Sequence, residues 1–122
     1  MGREGQRETG SHYDTAAEVA LRMVDFCTSH PLPRGAFYNV NIPDVPASKL
    51  KGAKITKLSD IPYDLKYLET EDSKGNRYYT TPWDKDPETE PDTDRSAVLD
   101  GFVAISALIF DNEKNNLLRG FL

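Results

Sequence analysis

Between residues 13 and 29 the apolar positions Ala16, Ala17, Ala20, Met23, Val24 and Cys27 recur three and four apart, with Glu18, Arg22 and Asp25 off the stripe. That spacing predicts one amphipathic helix running to about Ser29. Ser11 followed by Asp14 has the spacing of a capping box and marks its start. His30-Pro31-Leu32-Pro33 ends it, because a proline ring disfavours helical geometry at the residue before it. The period then changes. Phe37 to Ile42, bounded by Gly35 and Pro43, places Val40 and Ile42 on the face opposite Asn39 and Asn41, the alternation of a strand. Adjacent Phe37 and Tyr38 predict that both faces are covered near its start.

Pro46 to Gly52 suits a single helical turn with proline in the first turn and glycine at its close. Residues 53–58 read as a short strand of mixed polarity. Two tyrosine-bearing, β-prone runs, 63–70 and 77–81, flank a Gly-Asn turn and predict a hairpin arm over 63–81. Residues 84–94 alternate acids with prolines, which no regular element accommodates. Thr93 caps a short helix through Leu99 that Gly101 terminates. Phe102 to Phe110 is almost continuously apolar, the mark of a strand buried on both faces in a sheet covered by helices. The tail, 111–122, turns from polar to Leu-Leu-Arg-Gly-Phe-Leu and either docks as a helix or frays. Residues 1–10, rich in glycine and charge, read as a flexible lead-in. The whole of 1–122 is expected to be a single α/β domain with one main helix, buried strands and a projecting hairpin.

The totals narrow the function. A chain of 122 residues makes one domain, and its apolar share of 38% leaves part of it as arm, loop or interface surface. Fifteen basic against 20 acidic residues, a net charge of −5, argues against a nucleic-acid surface, which is normally basic. The single cysteine, Cys27, allows no internal disulfide and sits within the helical pattern as a small core hydrophobe, so a reducing cytoplasm is expected. No apolar run approaches the roughly 18 residues that a membrane crossing needs, and no apolar signal core follows Met1.

Candidate chemistry is sparse. There is no glycine-rich phosphate loop, no Gly-x-Ser-x-Gly turn and no zinc-spaced Cys/His set. His12 and His30 flank the helix about 27 Å apart at its regular rise, so they cannot share a metal, and each is expected as a surface or terminus residue without a catalytic partner. The acids of 84–94 lack the glycine and terminal glutamate of a calcium loop and read as a solvated loop. Tyr63, Tyr67, Tyr78, Tyr79 and Trp83 cluster on and after the hairpin. Such rings stack on a ligand, pack against the domain or face another subunit, and because one hairpin cannot bury so many, a subunit interface stands ahead of a ligand site.

Four separated stretches carry a family resemblance. His12-Tyr13-Asp14-Thr15-Ala16-Ala17, Leu32 to Pro43 with Lys51-Gly52-Ala53-Lys54-Ile55-Thr56, and Thr93 to Ser106 resemble, in order, the SurE family of survival-protein 5′/3′-nucleotidases. The resemblance covers residues 11–110 and only the family's C-terminal half. It implies a Rossmann-like α/β fold, with 63–81 as the arm that reaches a neighbouring subunit, so a homo-oligomer or a SurE-like partner is expected. It also implies hydrolysis of nucleoside monophosphates with Mg²⁺ or Mn²⁺ by the whole enzyme. The family's Asp-Asp pair, Ser-Gly-x-Asn and Ser-Gly-Thr are absent from this sequence, so no catalytic or metal residue carries over and no cofactor is expected for this chain alone. Nucleoside monophosphate is then a substrate only if the missing half is present. Departures lie at Ala104 and Ala107, where the family usually has a small polar residue and proline, and in the tail.

Overall fold

The computed structural model describes residues 11–62, 66–82 and 88–121. Helix α1, Tyr13–Ser29, leads into β1, Ala36–Asn41, then a 3₁₀ turn at Ala47–Lys49 and β2, Ala53–Ile55. The hairpin strands β3, Leu68–Glu71, and β4, Arg77–Thr80, follow. Helix α2, Asp94–Leu99, β5, Val103–Ile109, and a 3₁₀ segment at Glu113–Phe121 complete the chain.

β5 is the centre of a three-stranded sheet ordered β1-β5-β2. It pairs antiparallel with β1, from Ala36 opposite Ile109 to Asn41 opposite Ala104, and parallel with β2, from Ala53 opposite Val103 to Ile55 opposite Ile105. The central place of β5 follows from its composition, since a strand with neighbours on both sides is the one that favours an apolar run. Its burial is uneven, however. Val103, Ala104 and Ser106 are buried, whereas Ile109 is 60% and Phe110 78% exposed. The expectation of a strand buried on both faces therefore holds only for its first half.

The small core gathers where α2 meets β5. Ala97, Thr93, Ala104, Ser106 and Thr56 are all buried there. Thr93 is the N-cap of α2: its hydroxyl accepts from Ser96 N–H and donates to Glu90 C=O at 2.7 Å, and the Ser96 side chain answers the cap's own N–H. Gly101, at φ +90°, ends the helix in the left-handed region that a side chain would strain. Ser106 Oγ donates to Thr56 C=O at 2.7 Å and lies 3.1 Å from Thr56 Oγ1, so the buried hydroxyl of β5 and that of the residue following β2 satisfy one another.

Helix α1 keeps the predicted bounds but not the predicted burial. Only Thr15 is buried, while Leu21, Val24 and Phe26 are 68%, 61% and 45% exposed. Cys27 is also exposed, which corrects its reading as a core residue. The apolar stripe is real, but within the described residues it has little to pack against. The tail forms a 3₁₀ segment exposed throughout, with Leu117, Leu118 and Phe121 in solvent, so it neither docks nor covers the sheet.

Candidate functional site

The start of α1 is held from a distance. His12 is its N-cap, with no side-chain cap bond of its own, and the predicted Ser11–Asp14 box does not form. Instead Asp44, just beyond β1, places Oδ1 2.6 Å from His12 N and 2.9 Å from His12 Nδ1. A carboxylate at this end satisfies an orphan amide and meets the positive end of the helix dipole. The backbone hydrogen bond from His12, and then that from its ring, hold the Asp44 carboxyl below the usual aspartate value. His12 thus has a partner that the sequence pattern did not supply, 32 residues away. His30 closes the other end: its N–H donates to Phe26 C=O and its ring stacks on the Phe26 ring at 4.2 Å. Both histidines are helix-end residues, as expected.

Part of the acidic segment is structural, not solvated. Glu90 Oε2 accepts from Ser59 Oγ and Asp60 N at 3.2 Å each, and Asp94 Oδ1 accepts from Ser59 N at 2.9 Å. Lys57 donates to Asp92 C=O and accepts from Asp94 N–H. These bonds tie the acidic segment to the chain that continues from β2.

Two apolar grooves flank α1. The larger, about 730 Å³, runs between the helix and the sheet and is lined by Val19, Met23, Ile55, Val103, Ile105 and Ala107 among others. Thr15 also lines it, and its hydroxyl, though buried, has no hydrogen-bond partner. The smaller, about 550 Å³, lies along β1 between Met23, Val24, Cys27, Leu32 and Val40. Such volumes match ligand pockets, and the lining is mainly apolar, with Thr15, Glu18 and Arg22 as the polar residues of the larger groove. Apolar, open and bounded by strand edges, they have the character of a packing surface.

Of the five aromatic residues expected at an interface, Tyr67, Tyr78 and Tyr79 are 67%, 43% and 65% exposed, on or beside the hairpin. Tyr63 and Trp83 lie outside the described residues. The hairpin turn is built by Asp72, which accepts from Lys74 N, Asn76 N and Asn76 Nδ2. The bonds from Asn76, its side chain first, hold the Asp72 carboxyl below its usual value. Gly75 takes the left-handed position of that turn at φ +82°.

Among the described residues no group of three or more His, Cys, Asp or Glu side chains is placed to hold a metal ion. The donor set among the described residues does not fit a divalent cation.

The comparisons with known proteins converge. A family model described as "Survival protein SurE" matches residues 3–64. Over 102 residues the chain is 40% identical to proteins named 5′/3′-nucleotidase SurE from Salmonella arizonae and Salmonella typhimurium, which covers 82% of this chain and 40% of each relative. A 5′/3′-nucleotidase SurE from Erwinia tasmaniensis is 34% identical over 101 residues, with the same coverage. The chain therefore spans about two-fifths of the length of these relatives. Its fold superposes on the crystal structure of a SurE protein from Aquifex aeolicus with a TM-score of 0.65, at 24% identity, over 93% of this chain and 46% of that one. The fold is accordingly the expected Rossmann-like α/β arrangement.

Proposed function

This chain belongs to the SurE family, and from that premise we propose that it is the C-terminal part of a SurE-like nucleotidase, inactive alone. The completed enzyme would hydrolyse nucleoside monophosphates to nucleoside and phosphate. A divalent ion, Mg²⁺ or Mn²⁺, would there bind a phosphoryl oxygen and activate water. The observation that carries this reading is the pairing of nucleotidase-named relatives with coverage of only 40% of their length. A cytoplasmic setting fits the exposed free thiol, and no described helix is long and apolar enough to cross a membrane. The purified chain, given a nucleoside monophosphate with Mn²⁺ or Mg²⁺, is expected to release no phosphate above background. Metal-dependent turnover by this chain alone would refute the reading.

A second reading is supported by the exposed tyrosines of the hairpin: a non-catalytic assembly module that pairs with itself or with a full-length homologue. Aromatic residues outside a core are favoured at protein interfaces. Sedimentation would then show a concentration-dependent oligomer that Tyr78→Ala with Tyr79→Ala dissociates. A strict monomer at high concentration would count against self-pairing.

A further inference from the structure

Residues 62–87, which carry the hairpin, leave the domain after β2 and return to it ahead of α2. The hairpin strands pair with each other in a sheet separate from β1-β5-β2, so the two roots of this excursion matter to where the hairpin stands. Both roots meet at the start of α2. Lys57 N–H donates to Asp92 C=O, Lys57 C=O accepts from Asp94 N–H, and Ser59 N–H donates to Asp94 Oδ1. Glu90 Oε2, on the returning root, accepts from Ser59 Oγ and Asp60 N–H. Further out, Arg95 spans the gap. Its Nη2 donates to Ile61 C=O at 3.0 Å and its Nη1 to Glu88 C=O at 3.2 Å. Ile61 and Glu88 stand immediately on either side of the excursion.

Three features suit Arg95 to closing that base. Its backbone lies in the first turn of α2, which the Thr93 cap begins and which Ala97 buries against β5, so the side chain starts from a fixed point of the core. A guanidinium is a planar fork whose donors hold two directions at once, which the point charge of a lysine does not. Finally, Asp60, Glu88, Glu90, Asp92 and Asp94 lie along the same two roots, and like charges oppose bringing them together. A cation at the junction offsets that repulsion.

We propose that Arg95 is the positioning residue of the hairpin arm: its fork ties both roots to α2 and fixes the base from which Tyr67, Tyr78 and Tyr79 are presented to another subunit. The inference rests on the reading of the hairpin as an assembly arm. An arm with a closed base has less freedom to lose on association than one whose roots part, so Arg95 strengthens pairing through the placement of the tyrosines.

The test compares the full chain with Arg95→Gln and Arg95→Lys. Asp60 and Ile61 donate their amides to Glu90 and to Ser59 Oγ, and in Arg95→Gln both should exchange at least about ten-fold faster. The amides of Phe102 and Val103, bonded to Ala97 and Gly52 in the core, should be unchanged. So should those of Thr70 and Tyr78, the bonded pair next to Asp72 and Asn76 in the hairpin ladder. By sedimentation the dissociation constant of the oligomer should rise at least about ten-fold in Arg95→Gln, with every tyrosine intact. Arg95→Lys keeps the charge and loses the fork, and should behave like Arg95→Gln. Full restoration by lysine, or unchanged exchange at Asp60 and Ile61, overturns the positioning role. Equal acceleration at Phe102 and Val103 would make Arg95 a residue of general stability and defeats it too. An oligomer of undiminished affinity in both variants also overturns it. A strictly monomeric unsubstituted chain removes the assembly reading, and residual dipolar couplings then judge the base alone. Thr70 and Tyr78 should share the alignment of Val103 in the unsubstituted chain and lose at least about half of it in Arg95→Gln. Couplings that do not differ between the two chains contradict the proposal.

Discussion

The two edges of the same small sheet are built on opposite terms. On the β2 side the strand is three residues long, carries Lys54, and is followed by Lys57, whose outward N–H and C=O are bonded to Asp92 and Asp94. The acidic segment is held there by Glu90, and Thr93 turns it into α2. On the β1 side a six-residue strand without charge turns Tyr38 and Val40 outward beside an apolar groove, with no strand paired to them among the described residues. Lysine and the chain's own acidic segment blunt the end of the β2 edge, and among the described residues the β1 strand carries neither device. The contrast extends to the helices. α2 packs on β5 and buries Ala97, whereas α1 leaves Leu21, Val24 and Phe26 in solvent.

The finished side should be the more sensitive to single changes. Thr93 is fully buried and its hydroxyl both caps α2 and donates to Glu90 C=O, so Thr93→Val should cost about 2 kcal/mol, the sum of a lost cap and an orphaned carbonyl. A urea midpoint that falls with an unchanged slope is the check. An effect within about 0.5 kcal/mol would place the stability elsewhere.

Gly35 tests how β1 is hung on the sheet. At φ +82° a Cβ there would sit 3.0 Å from Phe110 C=O, the end of the β1–β5 ladder. Gly35→Ala should destabilise by about 1–2 kcal/mol, seen in the same denaturation. Ser106→Ala, which takes the donor from Thr56 C=O in the core, should cost about 1 kcal/mol. By contrast Leu21→Ser or Val24→Ser on the bare face of α1 should change the stability of the free chain by less than about 0.5 kcal/mol. A loss as large as that at Thr93 would mean that this face is already packed.

The smallest effect belongs to the His12–Asp44 tie. Because folding lowers the Asp44 pKa, the contribution of the tie is present above the unfolded value of 3.8 and is lost as pH falls through the lower folded value. The Asp44 carboxyl resonance should titrate below that of an unstructured aspartate, and His12→Ala, which removes the ring bond and keeps the backbone N–H, should raise it only part of the way back. A normal titration in the unsubstituted chain would break this link between α1 and β1.

Much of the fold was legible in local pattern. Alanine and methionine spacing set the bounds of α1, Gly35 and Pro43 bracketed β1, and Thr93 with Gly101 delimited α2. The misses in burial share one cause. Apolar periodicity reports what a segment is suited to bury, whereas burial needs a partner. Cys27 lies on a true apolar stripe and is exposed, and the run from Phe102 to Phe110 is buried only over its first residues. The cap of α1 was invisible for a different reason. Asp44 reaches His12 only once the helix folds back along β1, which no window of local sequence contains. Of the candidate interface residues, the exposure of Tyr67, Tyr78 and Tyr79 agrees with what a lone hairpin can bury, and the bare β1 edge needed strand register to be seen.

Amide exchange in the free chain tests the difference between the two edges most directly. Phe37, Asn39 and Asn41, bonded toward β5, should be protected, and Tyr38 and Val40, facing outward, should exchange like open backbone, a strict alternation along one strand. Equal protection at all five positions would show that the edge is already occupied and would contradict the account.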